Sequence, residues 1–355
     1  MNRDCHLHGC GLVSALGPGL DAAVARAARG GVPPDQLQVA PSVTHPCFTI
    51  AAGGVDWYAR AAALVRAAVA ECGPGVSRDA PLYLASSSLN VGALENGAPF
   101  LADCHAFAAR VAAWLDWRGP VLWVSTACTS SLNALLAAHR RIAGGRADEA
   151  LVLGLELANR YSSAGFGALQ LLDPRAPRPL AADRAGLVLG EAVVALHLGH
   201  RPARWRIAGG ANRIDGSHPA GAVPATLLRT LHAALEDARV APAAIDLIKL
   251  QAAGSPHNDA VEMAGLTAVF APLPPLVTLK ALLGHTLGAS GAAEIALLTR
   301  CLDSGQWPAP PPAPPDPALA AALASRAPAR VRHLLANVLG FGGGHASVVL
   351  EDLQA

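Results

Sequence analysis

Three short stretches of this 355-residue chain combine a thiol, an imidazole and glycine-freed backbone amides. Cys128 lies in VLWVSTACTSSLNALL, where an apolar strand pattern runs into a tight turn and then a helix pattern. That places the thiol at or near a helix N-terminus, whose unpaired N–H groups and dipole favour a thiolate and can hold a developing oxyanion. Taken alone, a free cysteine in such a turn reads better as a small buried residue than as a nucleophile. His285 stands between small residues in Gly284-His285-Thr286-Leu287-Gly288-Ala289-Ser290-Gly291, with Lys280 upstream. Small neighbours leave room for close approach of a substrate, although a capping or core histidine fits the same stretch. Asn337 to Ser347 (NVLGFGGGHAS) is a strand breaking into three successive glycines. Their amides can approach a ligand, but the stretch lacks both the GxGxxG spacing and the lysine of a phosphate loop.

The elements that must position these groups alternate between strand and helix, the pattern of a layered α/β fold. Strands are expected at His8–Leu16, Pro81–Ala85, Val121–Val124, Ala150–Leu157, Asp246–Leu250 and Val277–Leu279. Helices are expected at Asp56–Cys72, after Cys128 with Leu132, Leu135, Leu136, His139 and Ile142 on one face, at Thr226–Arg239, Asp259–Phe270 and Ser290–Leu302. Gly144-Gly145 stops the helix that follows Cys128. The second half repeats the rhythm of the first, which points to a duplication with halves at residues 1–200 and 201–355. Pro308–Pro317 (PAPPPAPPDP) cannot be regular structure and reads as a surface connection.

Composition narrows the function classes. At ~150 residues per domain the length suits about two domains or one duplicated unit. Lys plus Arg is 27 and Asp plus Glu 26, a net charge of +1, so bulk charge does not drive nucleic-acid binding. Hydrophobic residues make up 52% and charged residues 15%, against roughly 25% charged in an average domain. That supports a large core with apolar surface left for a subunit interface. The seven cysteines are widely spaced with no CxxC pair, which argues against a disulfide framework and for a reducing compartment. The N-terminus has no apolar signal segment, so a cytoplasmic location is expected. His333–Leu350 has membrane-spanning length but carries His333, Asn337, His345 and four glycines, and reads as buried sheet plus a turn. Cys5-His6-Leu7-His8-Gly9-Cys10 is not read as a metal site, because alternate strand residues face opposite sides. No metal and no cofactor are expected.

Together the motifs resemble the β-ketoacyl-acyl-carrier-protein synthase family, condensing enzymes with the thiolase-like fold. STACTSS is similar to its nucleophile segment, LKALLGHTLGASGAAE to its lysine–histidine segment, and NVLGFGGGHAS to its glycine-rich turn. LAADRAGLVLGEAVVALHL and DARVAPAAIDLIKLQAAGSPHNDAVE resemble the pocket strand and the segment of the first catalytic histidine. The resemblance covers most of the chain from about Val121 onward. It implies a duplicated α-β-α-β-α layered sandwich. The chain departs from the family pattern in three places. Gln251 stands where the first histidine is expected, in QAAGSPHND rather than His-Gly-Thr-Gly-Thr. Leu187 replaces a common pocket phenylalanine, and His345 a common asparagine.

The resemblance implies roles. Cys128 would take an acyl group from the phosphopantetheine arm of an acyl carrier protein. The N–H groups of Cys128 and Phe341 would form the oxyanion hole, and Leu187, Phe341 and Gly342 would bind substrate. His285 and Gln251 would face the malonyl thioester oxygen during decarboxylative condensation in fatty-acid or polyketide synthesis. Lys280 is placed with the catalytic set, chiefly as support, paired with Glu294 or Glu262. His257 beside Pro256 is expected to face the turn. Arg140, Arg141 and Arg146 offer a basic patch for an acidic carrier protein. The expected assembly is a homodimer or a heterodimer with a second ketosynthase. Gln251 can donate a hydrogen bond but cannot carry positive charge. Two further functions therefore stand beside condensation: a chain-length-factor-like partner subunit without catalysis, and acyl transfer without condensation.

Overall fold

The computed structural model describes every residue except 1–2, 52–55, 99–102 and 218–220. In its first half run β1 (His6–Ser14), α1 (Leu20–Ala27), β2 (Asp35–Ala40), β3 (Val43–Phe48), α2 (Trp57–Glu71), β4 (Leu82–Ala85), α3 (Val91–Glu95), α4 (Cys104–Trp114), β5 (Val121–Val124), α5 (Ser130–Ala143), β6 (Glu149–Glu156), α6 (Arg160–Ala168), β7 (Leu189–Gly190) and β8 (Ala192–Gly199). The second half runs β9 (Trp205–Ile214), α7 (Pro224–Ala238), β10 (Leu247–Lys249), α8 (Pro256–Val269), β11 (Leu276–Val277), α9 (Lys280–Leu283), α10 (Ser290–Ser304), β12 (His333–Gly340) and β13 (Gly344–Asp352). Local chemistry explains many of the ends. Asp56 caps α2 by accepting from the Ala59 N–H, and Gly144 closes α5.

Ten strands form one sheet in the order β11-β10-β12-β13-β9-β1-β8-β6-β4-β5. Numbered within each half, both sets of five follow the spatial order 1-5-4-2-3. The signs match too. β4 is parallel to β5 and β6, while β6–β8 and β8–β1 are antiparallel; β10 is parallel to β11 and β12, while β12–β13 and β13–β9 are antiparallel. The duplication that the sequence carries only as rhythm is explicit in this topology. The halves join where β1 pairs with β9 through His6–Arg206 and Leu7–Trp205.

Strand alternation then builds the layers. Val152, Val194, Ala336 and Val348 face a central core with α5 and α10. Leu151, Leu153 and Val193 face the outer helices α2 and α4. Leu335 and Val349 face α7 and α8. The result is the thiolase-like α-β-α-β-α sandwich, with α5 and α10 side by side in the middle. The His333–Leu350 stretch is the β12–β13 hairpin, and no helix among the described residues is long and apolar enough to cross a membrane. The proline stretch from Pro308 carries no α-helix or strand. Sequence periodicity misses the β2–β3 hairpin and α6, whose sequence RYSSAGFGA has too few large apolar residues to mark a face.

Candidate active site

Symmetry brings the chemistry together: Cys128 precedes α5 and His285 precedes α10, the two helices of the central layer. The Cys128 turn is tied down by its own hydroxyls. Thr129 Oγ1 donates to the Thr126 carbonyl at 2.7 Å, Ser130 Oγ donates to the Ala127 carbonyl at 2.6 Å, and the Thr126 N–H donates to Ser130 Oγ at 2.9 Å. Ala127 is held at φ +51°, a left-handed conformation that costs a non-glycine residue about 1 kcal/mol and aims the next side chain out of the strand. Gly340, at the end of β12, lets the glycine-rich turn approach. A Cβ there would stand 3.2 Å from Thr129 Cγ2 and 3.4 Å from the Cys128 nitrogen.

The backbone N–H groups of Phe341 and Cys128 both point at the Cys128 sulfur. Burial outweighs them. It pushes the thiol above its ordinary 9.0, although those N–H groups and the Lys280 charge pull the other way. The expected helix-terminus thiolate is therefore a thiol at rest, because burial disfavours the charged form. Alkylation of Cys128 by iodoacetamide, followed by peptide mass mapping, is expected to accelerate about tenfold per pH unit from pH 7 to 9 as the thiolate fraction grows. A rate already flat at neutral pH would contradict this.

His285 is delivered by Gly284 at φ +69°, where any Cβ would lie 2.7 Å from Phe48 Cδ2. Its backbone pairs with β7: its N–H donates to the Val188 carbonyl at 2.7 Å and its carbonyl accepts from Gly190 at 3.0 Å. Its ring Nδ1 accepts from the Leu287 N–H at 3.0 Å, and its Nε2 lies 3.1 Å from the Gln251 side-chain amide. Burial first, then the positive Lys280, hold the imidazole well below its ordinary range, so it is neutral.

The Gln251 loop is held by two carboxylates one turn apart on α8. Glu262 accepts from the N–H groups of Gln251 at 2.8 Å and Ala252 at 2.7 Å, and from Asn337 Nδ2 at 2.6 Å. Asp259 accepts from the N–H groups of Gly254 at 3.1 Å and Leu180 at 2.9 Å, and burial pushes its carboxyl up to about 7. Cys128, His285, Gln251, Leu187 and Phe341 all line one small cavity, together with Glu262 and Asp259. The thiol, the imidazole and the Gln251 amide thus meet in one place.

Lys280 is not on that cavity wall. It ion-pairs with Glu294, as does a second buried lysine, Lys249. Its Nζ also donates to Ser290 Oγ at 3.0 Å, and Ser290 Oγ lies 3.4 Å from His285 Nδ1. Lys280 is accordingly a positioning residue, and its carboxylate partner is Glu294, not Glu262. Gly342, expected to touch substrate, lies outside the cavity lining, exposed at the tip of the turn. His257 faces the Ala222 carbonyl at 3.2 Å, as expected. Arg140, Arg141 and Arg146 lie at the far end of α5, about 20 Å from the sulfur at 1.5 Å per residue.

The description β-ketoacyl synthase, N-terminal domain, matches residues 87–202, and β-ketoacyl synthase, C-terminal domain, matches residues 206–312; together they cover well over half the chain. The chain belongs to the β-ketoacyl synthase family. A Streptomyces cyaneus protein named putative polyketide β-ketoacyl synthase 1 is 33% identical over 268 residues, 68% of this chain and 63% of that protein. Nodulation protein E of Rhizobium leguminosarum bv. trifolii is 30% identical over 267 residues, 70% and 65% of the two chains. The chain thus spans a little under two thirds of the length of these relatives. Among solved structures, the ketosynthase ApeO in complex with its chain length factor ApeC from Xenorhabdus doucetiae matches with a TM-score of 0.84 and 25% identity, covering 99% of this chain and 98% of that one. A β-ketoacyl synthase from Burkholderia phymatum STM815 shares the fold with a TM-score of 0.82 and 24% identity, covering 99% and 100%.

Two residues of this β-ketoacyl synthase site escaped sequence reasoning. Glu156, buried at the end of β6, accepts from Ser87 Oγ at 2.6 Å, the Ser88 N–H at 3.3 Å and the Gly288 N–H at 3.1 Å, and also holds the Ser87 N–H and Ser88 hydroxyl. The one signal was a carboxylate ending an otherwise apolar strand. Phe166 of α6 stacks on Phe341 with centroids 4.9 Å apart, and nothing in its sequence context announced it.

Proposed function

We propose that Cys128 takes an acyl group from the phosphopantetheine thioester of an acyl carrier protein, and that the protein works in decarboxylative condensation with malonyl carrier protein in polyketide or fatty-acid synthesis. The observation that carries this reading is the convergence of the Cys128 sulfur, the N–H groups aimed at it, His285 and Gln251 on one cavity. The sulfur attacks the thioester carbonyl and the C–S bond to the pantetheine breaks. The Cys128 proton ends on the departing pantetheine sulfur. The N–H groups of Cys128 and Phe341 hold the oxyanion between these steps. Leu187, packed with Cys47, Leu189, Ala253 and Leu287, forms the apolar wall for the acyl chain.

A second reading, acyl transfer without condensation, is favoured by the side-chain amide of Gln251 at the place of the second donor. A purely non-catalytic partner role is less well supported, because the thiol and both N–H groups are retained. The half-buried strand β5 (Val121–Val124) ends the large sheet, and its free edge suits pairing with a second copy or with another ketosynthase. Titles of structural neighbours describe ketosynthase–chain length factor pairs, and one a ketosynthase with an acyl carrier protein. Residues 1–200 and 201–355 serve as the two halves, and the location is the cytoplasm.

Intact-protein mass spectrometry with acyl carrier protein thioesters tests the proposal. The acyl mass is expected on wild type and absent from Cys128→Ala, a loss of more than about 10³-fold in rate. An adduct that persists in Cys128→Ala, or none on wild type with or without a partner synthase, would refute it. Extended product supports condensation, and an adduct with no release of carbon dioxide from malonyl carrier protein supports transfer alone.

A further inference from the structure

The hydrogen bonds around His285 leave only one arrangement of its proton. The Leu287 N–H points at Nδ1 at 3.0 Å, so Nδ1 presents a lone pair. The Ser290 hydroxyl approaches the same nitrogen at 3.4 Å, while Lys280 Nζ and Thr286 Oγ1 both donate into the Ser290 oxygen and so turn its proton toward the ring. A neutral imidazole with a lone pair on Nδ1 carries its proton on Nε2. That N–H faces the Gln251 amide at 3.1 Å. With the NH2 end there, two donors would face each other, and the other end, Oε1, would be buried with no partner among the described residues. Rotating the amide by half a turn takes no extra space, removes the clash of two donors, and leaves the NH2 as the end with no protein partner among the described residues.

We infer that the Gln251 carbonyl oxygen accepts the Nε2–H of His285, fixing it as the neutral Nε2–H tautomer, and that the Gln251 NH2 becomes the donor offered to the oxygen of a second thioester. Gln251 thus does more than weaken a two-imidazole site. It occupies the proton that His285 would give and substitutes its own. A malonyl thioester would break its carbon–carboxylate bond, releasing carbon dioxide and passing the electron pair to an oxygen held by that amide. The inference rests on the acyl-cysteine reading for its substrate, but the tautomer does not.

The test has two parts on the full chain. Long-range ¹H–¹⁵N spectra of histidine-labelled protein, assigned with His285→Asn, are expected to show the Nε2–H pattern for His285, unchanged from pH 8 to 5.5. An Nδ1–H pattern would overturn the inference without any variant of Gln251. Second, Gln251→Glu keeps an acceptor for Nε2–H and removes the NH2. Release of carbon dioxide from malonyl carrier protein should then fall about 10²-fold, whereas Gln251→His should raise it above wild type. Wild-type release by Gln251→Glu would overturn the inference, because His285 would then be the donor. Failure of Cys128 to acquire any acyl group would instead sink the acyl-handling proposal and leave the tautomer assignment standing.

Discussion

Replacing Glu294 by Gln is expected to lower the unfolding free energy by about 3–5 kcal/mol. The reason is the charge count at the back of the site. Lys249 and Lys280 are both buried, and both ion-pair with the one Glu294 carboxylate. Glu262 attracts Lys249 from further away but spends its oxygens on the Gln251 and Ala252 N–H groups. Without Glu294, two buried ammonium groups are left facing a neutral amide, and Lys249, already held below its ordinary value by burial, gives up its proton. Urea unfolding followed by tryptophan fluorescence reads the loss, and Lys249→Met in the same background should recover part of it by removing one orphaned cation. A Glu294→Gln protein within 1 kcal/mol of wild type, roughly the worth of a surface pair, would show that the cluster is not held by charge.

Glu156→Gln is expected to slow acylation of Cys128 by about 10²-fold, because a displacement near 1 Å at a reacting group costs that much. Glu156 clamps three segments together: the end of β6, Ser87-Ser88 after β4, and Gly288 three residues after His285. An amide puts an NH2 against N–H and O–H donors that now face a carboxylate, a mismatch worth about 1–3 kcal/mol. It also removes a negative charge that raises the Cys128 thiol, so the pH profile of alkylation should move to lower pH. Acylation rates by intact mass and melting curves separate two outcomes. Earlier melting with wild-type acylation would mean that the clamp supports the fold and not the site.

Much of this molecule was readable before any coordinates. Val121–Val124 is found where the apolar pattern places it, α5 begins just after Cys128, and Gly144 ends it. These are local effects: a short apolar run bounded by turn residues marks a strand, and a helix end needs a residue that tolerates the turn. Among the elements missed, which also include α1, α4 and β9, the β2–β3 hairpin and α6 are polar or small-residue segments stabilised by what they pack on. Phe166 is informative only because α6 places it against Phe341.

Residue types and their order along the chain determined the family, the α/β layering and the identity of Cys128, Gln251 and His285, because those depend on local periodicity and on motifs a few residues long. Only the tertiary structure decided that the thiol is protonated at rest, that Lys280 works from behind His285, that Glu156 is part of the site, and which way the Gln251 amide must face. Each of those depends on desolvation and on hydrogen-bond partners tens to hundreds of residues away, and no local pattern encodes either.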